Sequence, residues 1–405
     1  MLVVLVSPTV NPDCAAVLRG LFAISGVRVG LVTHVPSERL PEGLAQSLAA
    51  HYRVDSTSDV EQVAQGLSVI QEHRGPIGRL LGFVEMIQVQ LAVLRERFGI
   101  PGMMPDVAQR FRDKNQMKEV LGATNLPVAR QSLIQSSQDA VAFAARVGWP
   151  IILKPLAGVG SQSTVRVSSP AGLQAALERF QPNAKRPLQA EAFVTGPERT
   201  FETVVVNGEP VWCSQTLYLD RPLDILENPW KQWSVLFPRE TMDAPARAFL
   251  ATNVAAIRAL GLSTGISHME WFLGDAGPVI GEVGARPPGA RFMQMIGFTY
   301  DEDLWSRWAE LEVMGVWRPL PPRKYAVGCA FFRAQGGGER IRAIEGLDGA
   351  QAAVGRWVID RKLPEIGAHP RSSYEGDGYA VVRHPETEVV KDALLTLIST
   401  VRVYA

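Results

Sequence analysis

The first hundred residues alternate between two hydrophobic periods. Residues 2–6, Leu-Val-Val-Leu-Val, form a continuous apolar run of strand length, which predicts a strand covered on both faces and ended by Pro8. Residues 13–22 place apolar side chains at helical spacing, and 27–32 form a second apolar run, so the chain opens β-α-β. Further helices are predicted over 44–50 and 60–71. A long amphipathic helix is predicted over 83–98 and stopped by Gly99-Ile100-Pro101-Gly102. The opening is Rossmann-like, but Ser7-Pro8-Thr9 stands where a G-x-G-x-x-G turn would be needed, so no dinucleotide site is expected there.

From Pro105 the pattern changes. Asp106 is placed to cap a helix carrying Val107, Phe111, Met117 and Leu121, crossed by the charged run Arg110-Phe111-Arg112-Asp113-Lys114. Strands are predicted over 150–155 and 165–167, around Glu191, and over 200–206, 210–219 and 266–272. Residues 220–233 form a loop rich in Asp, Arg and Trp, either a substrate lid or a surface excursion. Leu304, Trp305, Trp308 and Leu311 recur at helical spacing and read as core. Beyond about residue 319, short strands are predicted over 325–332, 340–344 and 379–382, and a last helix over 388–399.

One segment carries an electrostatic problem. His268-Met269-Glu270-Trp271-Phe272-Leu273-Gly274 and Pro278-Val279-Ile280-Gly281-Glu282-Val283-Gly284 flank Asp275-Ala276-Gly277, a hairpin signal with a three-residue loop. With Gly274 opposite Pro278, Phe272 meets Ile280 and Glu270 meets Glu282, both carboxylates on one face of the sheet. Facing like charges, with Cβ atoms roughly 5 Å apart, are destabilising. A slipped register, a nearby Lys or Arg, or a hard cation such as Mg²⁺ completed by phosphate oxygens would each relieve it. Arg286 falls at the edge of the same site.

Other chemistry clusters around it. Lys154 ends a strand and is followed by 157–164, which include Gly158, Gly160 and Ser161. Such a loop suits wrapping phosphate oxygens with backbone N–H groups, although Gly/Ser turns between strands are common. Glu191 and, beyond Gly196-Pro197, Glu198 can meet the amino group and sugar hydroxyls of a nucleotide, or can simply be solvated.

Composition narrows the class. The 405 residues include 46% apolar and 20% charged side chains, with 41 basic and 41 acidic residues, so bulk charge favours neither nucleic acid nor an anionic membrane. Cys14, Cys213 and Cys329 stand far apart and suggest no disulfide framework or zinc knuckle. The first residues lack a basic leader, and no apolar stretch reaches the roughly 18 residues of a membrane span, so a soluble cytoplasmic enzyme is expected.

Taken in order, Phe111-Arg112-Asp113-Lys114, Pro150-Ile151-Ile152-Leu153-Lys154-Pro155 with its Gly/Ser loop, residues 191–198, His268-Met269-Glu270 and Gly281-Glu282-Val283-Gly284-Ala285-Arg286-Pro287-Pro288-Gly289 resemble the ATP-grasp superfamily. Within it they resemble carboxylate–amine ligases similar to bacterial L-amino-acid (dipeptide) ligases. The resemblance implies a multidomain α/β and α+β chain with the ATP-grasp fold. It divides the chain into a Rossmann-like pre-ATP-grasp domain over 1–105, an N-terminal lid subdomain over 106–187, a C-terminal subdomain with the metal site over 188–318 and a small α+β domain over 319–405. It also implies roles. Lys114 and Lys154 contact ATP phosphates under a flap formed by 157–164. Glu191 reads the adenine amino group, Ala192 and Val194 offer backbone contacts, and Glu198 binds ribose. Glu270 and Glu282 hold Mg²⁺, with Mn²⁺ an alternative, and Arg286 stabilises the transferring phosphoryl group or acyl phosphate. Many ATP-grasp enzymes carry Asn two residues after the second Glu; here Gly284 stands there, which bears on the metal stoichiometry.

The implied activity joins a small-molecule carboxylate to an amine through an acyl phosphate, releasing ADP and phosphate. A homodimer is compatible with it, and neither nucleic acid nor membrane is an expected partner. A biotin-carboxylase-like or purine-biosynthetic ligase, and a non-catalytic ATP sensor, are the alternatives. After Arg286, Pro287-Pro288-Gly289-Ala290 is a stiff turn leading to Arg291. This arginine is either a planar anchor for a substrate carboxylate or a surface residue paired with an acid. His268, on the face of Glu270, either lines the substrate pocket or is structural.

Overall fold

The computed structural model describes residues 1–156 and 163–405. The apolar runs at the start form a parallel sheet. Its strands are Leu2–Val6, Arg28–Thr33, Ala50–Arg53 and Ile77–Leu81, ordered third, second, first, fourth. Two of these escape the apolar pattern. Ala50–Arg53 is a half-buried edge strand, Ala-His-Tyr-Arg, and the helix expected to reach residue 50 ends after Glu42–Ser47, which buries nothing. Ile77–Leu81 is interrupted by Gly78 and Arg79. The helix Pro12–Phe22 crosses to the helix Leu304–Met314, approaching so closely that a Cβ at Gly20 would stand 2.8 Å from the Ser306 Cα. Residues 83–98 split into a 3₁₀ turn, Glu85–Ile87, and a helix, Gln88–Phe98, which ends at Gly99 in the left-handed region (φ 64). That turn brings Glu85 towards the middle of the molecule.

The helix expected to begin at Asp106 is two helices, Pro105–Arg112 and Lys114–Ala123. Asp113, extended at φ −91 and ψ 111, accepts from the N–H groups of Asn115 (2.9 Å) and Gln116 (3.0 Å). An Asp in this conformation satisfies the orphan donors of a new first turn, and its capping overrides the continuous helical spacing. Asp106 instead sits in the first turn and pairs with Arg110 at 3.0 Å.

A small antiparallel sheet follows, ordered Gln131–Ile134, Leu188–Ala192, Ile151–Pro155, Val165–Val167, with the helices Ser137–Val147 and Pro170–Phe180 packed against it. The largest sheet has eight antiparallel strands in the order Gly277–Gly284, Gly265–Gly274, Glu198–Val206, Glu209–Tyr218, Trp233–Phe237, Ala326–Phe332, Gly378–His384, Val358–Lys362. Three of its strands thus come from beyond residue 319. Phe201, Met269, Trp271, Ile280 and Val283 pack beneath it against the helix Ala244–Leu260. Phe292–Tyr300 and Leu304–Met314 pack with the first sheet in another cluster, where Trp305 and Trp308 are core as their spacing implied. The helix Thr387–Thr400 covers the C-terminal strands. Among the described residues no helix is long and apolar enough to cross a membrane.

Where the first sheet meets Leu304–Met314, Arg79 donates to the Glu312 carbonyl at 3.2 Å. Burial pushes the Glu312 carboxyl up to about 7, against the opposing pull of Arg95 and Arg79. An acid raised in the folded state keeps a proton there that the unfolded chain releases from the ordinary value of 4.5. Its contribution to stability is complete below that value and is lost as pH rises through 7. Glu312→Gln stays neutral throughout. Its unfolding free energy should match the parent near pH 4.5 and exceed it near pH 8 by on the order of 2 kcal/mol. Parallel denaturant melts across that range check this, and an unchanged difference would remove Glu312 as the cause.

Candidate active site

The hairpin reaches the expected pairing by a different route. Its turn is two residues, Asp275-Ala276, so Leu273 faces Pro278 and Trp271 faces Ile280. A bulge between Glu270 and Trp271 then absorbs Gly281 and sets Glu270 opposite Glu282. The turn is one residue shorter than expected and the bulge restores that residue. Glycine is required there, because a Cβ on residue 281 would stand 2.9 Å from the Phe272 ring and 3.0 Å from the Glu270 carbonyl oxygen. The buried side chains Met269, Trp271, Ile280 and Val283 lie beneath, while Glu270, Phe272 and Glu282 line a cavity of about 500 Å³.

Lysines answer the paired carboxylates. Lys114, first residue of its helix, donates from Nζ to Glu282 Oε1 at 2.6 Å. Lys154 Nζ stands 3.0 Å from Glu191 Oε1. Lys118, one helical turn after Lys114, is 3.7 Å from the same oxygen and donates to the Ile280 carbonyl at 3.0 Å. Burial alone would raise Glu282, but Lys114, Lys154 and Lys118 outweigh it and hold the carboxyl at about 2. Burial likewise opposes the ionised form of Glu191, and Lys118 with Lys154 keeps it below the ordinary value. Lys118, almost wholly buried, is pushed down to about 8 by burial. Its role was not anticipated from the sequence. The signal exists only once the helix is known to begin at Lys114, since residues four apart then share a face.

Glu191, Ala192, Val194 and Glu198 also line the cavity. The Ala192 N–H is spent on the Arg130 carbonyl (2.8 Å), and the Val194 carbonyl accepts from Arg221 Nη1 (2.8 Å). Arg221 also donates to the Gly196 carbonyl, and its guanidinium lies over the rings of Phe193 (5.1 Å) and Phe272 (5.2 Å). Burial, reinforced by Glu270, raises Glu198 well above the usual carboxylate range. The loop 220–233 contributes Arg221, Pro222, Leu223 and Trp233 to the lining and contains the helix Pro222–Glu227, so it borders the cavity and is not a surface excursion. Arg166 of the small sheet clasps that helix, donating to Asp224 (3.0 Å) and to Glu227. Gly158, Gly160 and Ser161 lie outside the described residues.

Arg286 lines the cavity beside Glu270. Its Nε donates to Glu85 and its Nη1 to the Pro287 carbonyl at 2.7 Å. Burial would lower it, but Glu85 carries it above its ordinary value. Glu85 is a second group the sequence did not disclose, delivered from the N-terminal sheet's region by a 3₁₀ turn. A Cβ at Gly284 would stand 3.7 Å from Glu85 Oε2, an ordinary contact, so the packing there does not itself require glycine. Among the described residues no group of three or more His, Cys, Asp or Glu side chains assembles as a metal cage. His268 is in the cavity, its Nδ1 3.0 Å from the buried Glu202 and its Nε2 3.8 Å from Glu270. Burial disfavours its charge, yet the hydrogen bond to Glu202 and the nearby Glu270 carboxylate lift it to about 9.

Arg291 is not brought there. At φ 64 it turns its guanidinium onto Asp360 (2.6 Å) and the Tyr379 ring (4.1 Å), both on C-terminal strands, and it does not line the cavity. The backbone at Ala290 and Arg291 is left-handed (φ 49 and 64), and the side chain lies against the C-terminal strands. Arg291→Ala should therefore cost stability, about 1–3 kcal/mol for breaking a half-buried charged hydrogen bond, and leave the Michaelis constants alone. Chemical denaturation beside steady-state kinetics checks this, and a raised Michaelis constant for one substrate with unchanged stability would reverse it. Tyr218, Phe292, Ser373, Tyr374 and Glu375, none of them singled out from the sequence, also line the cavity.

Residues 113–210 match the family described as carbamoyl-phosphate synthase L chain, ATP binding domain. An L-arginine-specific L-amino acid ligase of Bacillus subtilis is 25% identical over 63% of this chain and 62% of its own length. An uncharacterised protein of Sinorhizobium fredii is 26% identical over 66% of this chain and 54% of its own. The chain thus spans about half to three fifths of the length of these curated relatives. The crystal structure of an L-amino acid ligase from Bacillus licheniformis superposes with a TM-score of 0.77 at 17% identity, covering 100% of this chain and 98% of that one. N5-carboxyaminoimidazole ribonucleotide synthetase from Thermotoga maritima gives 0.68 at 18% identity, covering 100% and 99%.

Proposed function

We propose that this chain, an ATP-grasp protein by its fold, ligates a small carboxylic acid to an amine at the expense of ATP, through an acyl phosphate. The observation that carries the reading is the convergence, in one cavity, of the facing Glu270 and Glu282, the lysines 114 and 154, and Arg286. A carboxylate is a poor acyl donor because its oxygen leaves badly. In the proposed first step an oxygen of the acid attacks the γ-phosphorus of ATP, and the bond to ADP breaks. In the second, the amine nitrogen attacks the acyl carbon, phosphate leaves and the nitrogen gives up a proton. Little covalent work falls to the protein, which positions the reactants and neutralises charge.

The residues divide that work. Lys154 and Lys114 present ammonium charges to phosphate oxygens, and Arg286, held by Glu85, offers a fixed planar donor to the phosphoryl group. Val194, whose N–H has no protein acceptor among the described residues, is available to an adenine ring. Glu270 and Glu282 fit a hard divalent cation: they are oxygen donors in facing register, and Glu282 stays ionised with an ammonium on one oxygen. Mg²⁺ held there would neutralise phosphate charge. Phosphate release is the test, measured over pairs of amino acids and other small acids and amines, with product mass recorded. Release that needs both an acid and an amine and yields their amide supports the reading. Release indifferent to either, or none with any pair, overturns it.

A further inference from the structure

Loop 371–377 reaches the cavity from the C-terminal strands and is fixed at both ends. Arg333, buried, donates to the Ser373 carbonyl at 3.2 Å and to the carbonyls of Ile225 (2.7 Å) and Lys231 (3.0 Å), tying this loop to the segment around Pro222–Glu227. Asp377 accepts from the N–H groups of Arg371 (2.8 Å) and Ala334 (3.3 Å) and donates its own N–H to the Phe332 carbonyl (2.8 Å). Gly376 turns at φ 60, where a Cβ would stand 2.4 Å from the Phe332 oxygen. Tyr374 packs edge-on against Trp233, ring centroids 4.5 Å apart. Residue 375 is therefore held in place and not left on a free loop.

Glu375, so held, lines the cavity and makes no hydrogen bond or ion pair among the described residues. Three charged groups act on it from other positions, Arg371, Asp13 and Arg291, and Arg291 is already committed to Asp360. Burial raises the carboxyl in spite of the two arginines. Tyr374, its neighbour in the chain, is acted on by Glu270 and Arg286 as well as by Glu375, and all four residues line the cavity. A half-buried carboxylate that lines the cavity without a partner is open to a charged group of a ligand. A bound cation would pair with it.

We infer that Glu375 selects the acid substrate: the compound activated beside Arg286 carries a cationic group at its far end, as a basic amino acid does. This rests on the ligase reading above and adds the charge of the substrate to it. Arg286 and Glu375 line the same cavity, so one molecule would meet both, its carboxylate at Arg286 and its cationic group at Glu375.

The test compares arginine with citrulline, and lysine with norleucine, on the wild type, Glu375→Gln and Glu375→Asp. Phosphate release is read with a common amine, and binding is read by calorimetry with ADP and Mg²⁺ present. The wild type should favour each cation over its neutral counterpart by on the order of tenfold or more, as loss of a charged hydrogen bond implies. Glu375→Gln should erase that ratio and Glu375→Asp should retain part of it, with the Michaelis constant for ATP unmoved in both. Equal affinity for cation and neutral partner in the wild type, or a preference that survives in Glu375→Gln, overturns the inference. Absence of turnover with every acid would sink the ligase reading alone. A calorimetric preference for the cation that vanishes in Glu375→Gln would then still support the role of Glu375, and its absence would refute it.

Discussion

Replacing Glu282 by Gln is expected to lower ligation by at least about a hundredfold, on the scale of losing one preorganised electrostatic partner of a transition state. The reason lies in the arrangement and not in the residue type alone. Glu282 is held near pKa 2 by three ammonium groups, so it presents full negative charge in a cavity that also holds Glu270. Gln keeps the shape and removes the charge. The fold should persist, because Glu191 remains to pair Lys154 and Lys118, and the strand register is fixed by the bulge at Gly281. Circular dichroism and aromatic fluorescence should therefore match the parent while phosphate release disappears. Near-normal turnover at millimolar Mg²⁺ would show that the cation, or the chemistry, lies elsewhere.

The second large effect belongs to Lys154. Its ammonium stands 3.0 Å from Glu191 on the strand Ile151–Pro155, and burial is overcome by Glu191 and Glu282, which keep it charged. Lys154→Ala removes a point charge aimed into the cavity and leaves Glu191 with Lys118 alone. The Michaelis constant for ATP should rise by about tenfold or more, the range for a charged hydrogen bond, with a slower catalytic step besides. Steady-state kinetics in ATP, with direct nucleotide binding as a second measure, decide it. If affinity and rate both hold, the nucleotide site is not beside Lys154.

Much of this arrangement was legible because local pattern and chemistry coincide. The apolar run at 2–6, the helical aromatics at 304–311 and the strand ending in Lys154 each follow from burial and period, and the structure places them accordingly. Where two local signals competed, the sequence misled. Helical spacing across 106–121 concealed the cap at Asp113, and an edge strand as polar as Ala50–Arg53 carries no alternation to read. The hairpin paired its glutamates only because a shorter turn and a bulge offset each other.

What the sequence by itself determined is a set of candidate groups strung along the chain, Lys114, Lys154, Glu191, Glu198, Glu270, Glu282 and Arg286, all of which line one cavity. Lys114 opens a helix and Lys154 nears a strand end, but Glu270 lies in the middle of its strand, so residue type and motif order marked it and local position did not. The tertiary structure decided which charges meet. Glu85 reaches Arg286 from 201 positions away, Lys118 shares Glu191 with Lys154, and Glu375 enters from a loop tied down by Arg333. It also placed Arg291 on Asp360. Electrostatic energy depends on separation in space and on burial, and neither is encoded in the spacing of residues along the chain.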